Sequence, residues 1–323
     1  MLQYRITKDR KITVKQTDRI GYEGNFEHNP FFNLDRNTEF DFIFAHTGFS
    51  LGDWGIISSL PKFFKKLYPN SSFYYLHPEV NKKLFAHEFA AGWWQEVISN
   101  PWDIGVYLMG YNPYVDGFLS YDEIPSDKEL FSDHHRIWES KESTHEPLIE
   151  QLLRGFGATE EEISSWDTRP KLYYSDEVKE KGDEIINKYV GGEYGCLLTS
   201  CRYKHLRNQW EHDNYLLEAS KKYKDYPVFY YSNFDYKNTH WDNFFKNQIP
   251  FKDLDLSLLE QMYIKQKAKF NVGYQAGITD SIIGGGTDSI CLAGYNKNDY
   301  LNLGVNIGRQ VKYIFPDGSE TIF

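Results

Sequence analysis

Three short stretches of the chain carry residue types suited to chemistry on a charged ligand. The first is Ser50-Leu51-Gly52-Asp53, a carboxylate after a glycine at the end of an apolar run. A loop after a strand is where open α/β sheets bind ligands, and Gly52 lets such a loop turn tightly. Asp53 has a second reading as the N-cap of the helix that follows, a position Ser50 suits as well. The second stretch, Thr199-Ser200-Cys201-Arg202-Tyr203-Lys204-His205-Leu206-Arg207, gathers hydroxyls and four potential cations in nine residues. It suits a diphosphate; its alternative is a solvated surface turn. The third runs from Gln275 to Gly286. Within it Gly277-Ile278-Thr279-Asp280-Ser281 opens a short helical run whose free N–H groups could hold an anion. The glycines that follow, Gly284-Gly285-Gly286, lack the Gly-Lys-Ser/Thr of a phosphate-binding Walker loop and read as a turn into a strand.

Each stretch needs a strand before it and a helix after it, and the sequence supplies both. The apolar run from Phe42 leads into Asp53. Beyond Trp54, the residues Ile56, Ile57, Leu60, Phe63, Phe64 and Leu67 recur on one face of a 3.6-residue period, with Lys62, Lys65 and Lys66 on the other. Pro61 means that this helix either begins later than Trp54 or is bent in its first turns. Phe73-Tyr74-Tyr75-Leu76 then reads as a second buried strand, giving a strand, loop, helix, strand unit with a right-handed crossover. In the second half, a helix over Asp176 to Tyr189 precedes the strand Cys196-Leu197-Leu198-Thr199. A helix over Asn214 to Tyr223, the strand Val228-Phe229-Tyr230-Tyr231, a helix near Leu256 to Ala268 and the strand Phe270 to Tyr274 follow.

This alternation predicts an α/β fold of two Rossmann-like domains facing one another across a cleft. Residues 1–40, polar and then rich in Asn, Gly and Pro, read as an N-terminal extension. The first domain spans 41–168 and the second 169–323, with Trp166-Asp167-Thr168-Arg169-Pro170 as the linker after a helix stopped by Gly155-Phe156-Gly157.

Composition excludes several classes. The 46 acidic residues outnumber 36 basic ones, and a net charge of −10 argues against broad nucleic-acid binding through phosphate contacts. No apolar stretch approaches the roughly 20 residues needed to span a bilayer, and Met1-Leu2-Gln3-Tyr4-Arg5 begins no signal peptide, so a cytoplasmic protein with at most peripheral membrane contact is expected. Three cysteines, Cys196, Cys201 and Cys291, make no disulfide framework and read as small buried hydrophobes, a catalytic thiol being the alternative. His87-Glu88 lacks the second histidine of HExxH, and the adjacent His134 and His135 project differently, so no metal site is expected.

In order and spacing, four segments resemble the GT-B glycosyltransferases of the ADP-heptose:lipopolysaccharide heptosyltransferase type. Ser50-Leu51-Gly52-Asp53 through Tyr68-Pro69 is similar to that family's first loop and helix, with Ser59 where the family usually has proline. Glu146 to Tyr189, including Arg169-Pro170-Lys171-Leu172 and Ser175-Asp176-Glu177, is similar to its linker region. Thr199 to Trp210, followed by Tyr215-Leu216-Leu217-Glu218-Ala219, resembles its phosphate loop and the helix after it, and Val272 to Gly294 resembles its donor loop. The similarity covers most of residues 41 to 295.

The resemblance implies a GT-B fold, an acceptor domain followed by a nucleotide-sugar donor domain, and inverting transfer of a hexosyl or heptosyl group to a glycan or glycolipid hydroxyl. It implies Asp53 as the general base. Thr199, Ser200, Arg202, Lys204 and Arg207, with Gln275, Gly277, Thr279 and Asp280, would hold the donor and its diphosphate without metal or other cofactor. The chain departs from the family in having Gln275-Ala276-Gly277 and then Asp280 where Asp-Thr-Gly and then His are typical. Asn208 replaces a basic residue, and a hairpin-like run from Tyr313 to Ser319 replaces a long closing helix. A nucleotide-sugar epimerase or hydrolase on the same fold is the alternative, as is a non-catalytic sugar-binding protein.

Overall fold

The computed structural model describes residues 2–6, 12–16, 31, 34–46, 54–55, 57–76, 103–120, 123–124, 129–132, 148–198, 210–231, 241, 243–274, 288–292, 311–315 and 317–322. They divide into two compact units, 1–168 and 169–323, the break falling inside the stretch read as a linker.

In the first unit the chain runs β1 (Leu2–Ile6), β2 (Ile12–Gln16), β3 (Asp41–Ala45), α1 (Leu60–Leu67), β4 (Ser72–Leu76), α2 (Asp103–Met109), β5 (Gly117–Leu119), β6 (Glu129–Ser132), α3 (Leu148–Gly155) and α4 (Glu160–Ser165). The six strands form one sheet in the order β2-β1-β6-β3-β4-β5. Strands β6, β3, β4 and β5 are parallel, whereas β1 pairs antiparallel with both β6 and β2. The first residues are thus part of this sheet and not an appendage to it: Leu2 to Arg5 lie in register with Ser132 to Glu129. The run Ile104 to Leu108 lies within helix α2.

Packing explains why α1 starts at Leu60. Leu60, Phe63, Phe64 and Leu67 are buried, and Pro61 sits in the first turn, where its missing N–H has no partner to lose. Lys65 and Lys66 occupy the last turn, where cations favour the helix dipole. The Phe64 ring stacks on Phe42 of β3 at 4.3 Å between centroids, and Phe156 and Phe73 close around the pair. Beyond α3, Gly157 takes a φ of 83°, which stops that helix. A capping box at Thr159 and Glu162 then opens α4. Arg36 reaches the same corner, donating to both carboxylate oxygens of Glu162 and to the Gly157 carbonyl.

The second unit runs α5 (Asp176–Tyr189), β7 (Gly195–Leu198), α6 (Trp210–Ser220), β8 (Pro227–Tyr231), β9 (Asn247–Pro250), α7 (Leu258–Lys267), β10 (Phe270–Tyr274), β11 (Asp288–Leu292), β12 (Val311–Ile314) and β13 (Glu320–Ile322). Its sheet has the order β13-β12-β11-β10-β7-β8-β9, parallel throughout except for β13. Strand β7 is buried at every residue, as parallel strands covered on both faces are. On one face Leu197, Phe270, Val272 and Ile290 pack with Leu216 of α6, Tyr223 and Trp241. Over the other face α5 and α7 pack on each other: the Tyr263 ring fills the space that Gly182 leaves, and its hydroxyl donates to Asp183 at 3.1 Å. Helix α6 begins four residues before the sequence pattern suggests, at Trp210.

Candidate active site

The eleven residues singled out for chemistry, Gly52, Asp53, Thr199, Ser200, Arg202, Lys204, Arg207, Gln275, Gly277, Thr279 and Asp280, all lie outside the described residues. What the structure gives is the set of strands and helices from which their loops depart, and these have a common topology.

In the second unit the parallel strands read β9-β8-β7-β10-β11-β12 across the sheet. The chain moves one way from β7 through β8 to β9, then returns to the other side of β7 and continues outward. The order reverses between β7 and β10, the topological switch point of a doubly wound sheet, where ligands bind beyond the carboxyl ends of the strands. These are the two strands whose carboxyl ends lead into the Thr199 to Arg207 and Gln275 to Gly286 loops. They are also neighbours in register, with Leu198 opposite Gly273. Gly273 permits that approach: a Cβ there would lie 2.7 Å from Leu198 Cβ and 2.9 Å from its carbonyl oxygen.

The first unit repeats the pattern. Its parallel strands read β5-β4-β3-β6, so the order reverses between β3 and β6. Strand β3 ends at Ala45, and its continuation is the loop that carries Gly52 and Asp53. On the near side of that loop His46 is buried, and on the far side Trp54 is buried against it, their ring centroids 4.6 Å apart at 79°. Trp54 and Gly55 are helical and residues 57–59 form a turn, held by Ser58 N–H to the Gly55 carbonyl at 3.0 Å and by Asn112 Nδ2 to the Ser58 carbonyl at 3.0 Å. The N-cap of α1 is Ser59 and not Asp53, which itself lies outside the described residues.

Electrostatics removes Cys196 as a catalytic thiol. Burial pushes the Cys196 thiol up to about 12, against the opposing pull of the Lys265 charge, so at neutral pH it is a protonated, inert side chain in the sheet. Cys291 is buried in the next strand but one, and Cys201 lies outside the described residues. Among the described residues no three His, Cys, Asp or Glu side chains come together as a metal site needs, and no helix is long and apolar enough to cross a membrane.

The sequence reading missed Trp54. Periodicity places it only at the start of an amphipathic helix, whereas its buried ring packs against His46 and Tyr75.

No protein-family model matches the sequence, and no curated protein matches it. Among solved structures, the glycosyl transferase family 9 protein from Veillonella parvula DSM 2008 aligns with a TM-score of 0.52 at 9% identity, over 87% of this chain and 87% of that one. The E. coli ADP-heptose lipopolysaccharide heptosyltransferase II aligns at 0.44 and 10% identity, over 84% and 90%. The iron-containing dodecameric glycosyltransferase TibC of enterotoxigenic E. coli aligns at 0.43 and 11%, over 79% of this chain and 59% of that one. The chain therefore has the fold of the family 9 glycosyltransferase structure, a GT-B fold built of Rossmann-like units.

Proposed function

We propose that the protein is a glycosyltransferase that moves a sugar from a nucleotide-sugar donor to an acceptor hydroxyl, on a glycan or glycolipid, with inversion at the anomeric carbon. The observation that carries this reading is the topology: the switch point of each unit lies at the root of a candidate loop. In the second unit the loops with Arg202, Lys204, Arg207, Thr199 and Ser200, and with Gln275, Gly277, Thr279 and Asp280, start from paired strands. In the first, the Asp53 loop starts from β3.

The chemistry needs one base and one sink for negative charge. Asp53 takes the proton from the acceptor hydroxyl as its oxygen attacks the anomeric carbon. The bond from that carbon to the diphosphate breaks with both electrons going to the leaving group. Arginine and lysine side chains of the Thr199 to Arg207 stretch neutralise the diphosphate as its charge develops. No metal is needed for this balance of charge.

Thermal-shift measurement with ADP, GDP, UDP and CDP tests the donor half. At least one nucleotide should raise the melting temperature in EDTA as well as in magnesium, and Arg202→Ala or Arg207→Ala should weaken the effect. Stabilisation only with a divalent ion would overturn the metal-free part. Incubation with ADP-, GDP- and UDP-sugars, with and without crude acceptor glycans, tests the rest. Acceptor-dependent nucleotide release supports transfer, acceptor-independent product favours an epimerase or hydrolase, and binding without turnover favours a sugar-binding protein.

A further inference from the structure

Two sets of hydrogen bonds between residues far apart in the chain bracket the stretch that joins the two units. On its first side stands Thr168, 1% exposed. Its carbonyl accepts from the hydroxyl of Ser59, the N-cap of α1, and its own hydroxyl donates to Glu150 of α3 at 3.4 Å. Both partners belong to the first unit. On the other side stands Leu172, 2% exposed. The Gln266 side chain of α7 meets its backbone twice, accepting from the Leu172 N–H at 3.2 Å and donating to the Leu172 carbonyl at 3.3 Å. The Tyr174 hydroxyl donates to the same Gln266 oxygen at 3.1 Å, and the Tyr174 ring meets Tyr263 of α7 edge-on at 5.3 Å. All of these residues belong to the second unit.

A glutamine that pairs with both polar groups of one residue does for it what a neighbouring strand would do. Leu172 cannot turn without leaving a buried donor and a buried acceptor unpaired. Thr168 is held in the same manner on its side. Between the two clamps lie three residues, Arg169, Pro170 and Lys171. The Pro170 ring fixes its own φ at about −65° and keeps Arg169 out of the helical region. What remains soft is chiefly ψ of Pro170 and the φ and ψ of Lys171.

Domains joined by a single connection move relative to one another unless a large apolar interface holds them, and a hinge is the few residues that absorb the motion. We propose that Arg169, Pro170 and Lys171 are the pivot between the two units and that Gln266 is the clamp that sets its second end. The clamp keeps the pivot short. With Leu172 released, the pivot would extend toward Ser175, the N-cap of α5. The inference does not depend on the reaction proposed above, because each hydrogen bond it uses lies within one unit or the other.

Site-resolved hydrogen exchange of the full chain tests the clamp. Gln266→Met keeps the length of the side chain and loses both bonds to Leu172, so the Leu172 amide should exchange about 5-fold faster or more, with β7 and the first unit unchanged. Unchanged exchange at Leu172 overturns the clamp. Should that variant fail to fold, the pivot is tested without touching Gln266.

Nitroxides on Glu161→Cys and Gly192→Cys, in a Cys201→Ser chain, report the distance between the units by pulsed electron resonance. Both positions are exposed, a Cβ on Gly192 meets nothing within 4 Å, and the remaining cysteines, Cys196 and Cys291, are buried. Pro170→Gly frees the backbone of the pivot and should broaden the distance distribution. Gln266→Met lengthens the pivot and should broaden it as well. A Pro170→Gly distribution no broader than the parent's places the motion elsewhere and overturns the proposal. A broadened Pro170→Gly beside an unchanged Gln266→Met keeps the pivot and rejects Gln266 as its end.

Discussion

The hydroxyl of Ser59 donates to the carbonyl of Thr168 at 3.0 Å, both groups out of solvent and 109 residues apart in the chain. Thr168 is the last residue of the first unit, and its own hydroxyl points to Glu150 of α3. Where the family this chain resembles usually has proline, Ser59 ties the start of α1 to the end of its unit. Ser59→Ala would leave a buried carbonyl without this donor, at a cost of about 1–3 kcal/mol. Urea unfolding should show the loss as a lower midpoint at unchanged slope, and an unchanged midpoint would mean that another donor replaces it.

The Arg36 and Glu162 contact predicts an acid-sensitive corner. The hydrogen bond from Arg36 holds the Glu162 carboxyl down to about 2, with burial opposing and the Thr159 backbone assisting. A carboxylate depressed in the folded state contributes stability above its ordinary value near 4.5, which is lost as pH falls toward 2. Both partners are partly exposed, so the pair is worth no more than about 1 kcal/mol. Glu162→Gln should be less stable than the parent at pH 7, and the difference should shrink between pH 4.5 and 2. A difference that does not change with pH would assign the effect to the cap alone.

Gly273→Ala sets two effects of opposite sign against each other. Alanine in a strand gains about 0.5–1 kcal/mol over glycine, but a Cβ 2.7 Å from Leu198 Cβ and 2.9 Å from its carbonyl costs about 1–3 kcal/mol in overpacking. The net should be destabilising, with a melting temperature lower by a few degrees. Because the strain falls where β7 and β10 release the two candidate phosphate loops, nucleotide-dependent stabilisation should fall more than the melting temperature itself. Loss of stability with intact nucleotide binding would place the phosphate site elsewhere.

With Ser59 as the N-cap of α1, capping by Asp53 is left only for the helical pair Trp54 and Gly55, and Asp53→Asn distinguishes a base from such a cap by number. Asparagine caps a helix about as well as aspartate, so a capping role predicts near-normal turnover. A base role predicts turnover reduced about 10²-fold or more, with fold and nucleotide binding intact, because the amide cannot take the acceptor's proton. Steady-state rates and nucleotide melting shifts on the same preparation decide between them.

How much of this was legible in the sequence depends on the range of the forces involved. Helix α5 is readable to the residue, because Ser175 accepts from the Val178 N–H and a solvated helix is bounded by its own caps. Helix α1 is readable in its face, with Leu60, Phe63, Phe64 and Leu67 buried, but not in its start: the turn at residues 57–59 is held by Asn112, far along the chain. The place of residues 2–6 depends on pairing with β6, more than a hundred residues later, and short polar strands carry little local signal of that. The candidate loops were found by residue type. Their common origin at switch points is a property of strand order, which local patterns do not encode. Gln266 was invisible for the same reason, since only the backbone of Leu172 gives it meaning.

The antiparallel hairpin that ends the second sheet bears on how the protein behaves when concentrated. Strand β12 buries Tyr313 and Ile314, and without a neighbour its outer edge would present unpaired N–H and C=O groups beside apolar side chains. Strand β13 covers that edge with three residues only, one of them Glu320 in an ion pair with Lys312 at 2.6 Å. At the opposite edge β9 is four residues long and ends in Pro250, which has no N–H to offer an incoming chain. Short, charged and proline-ended borders of this kind are poor templates for further strands. Among the described residues the sheet is thereby finished on both sides, and removing residues 316–322 should promote assembly edge to edge, read as a larger species in size-exclusion chromatography.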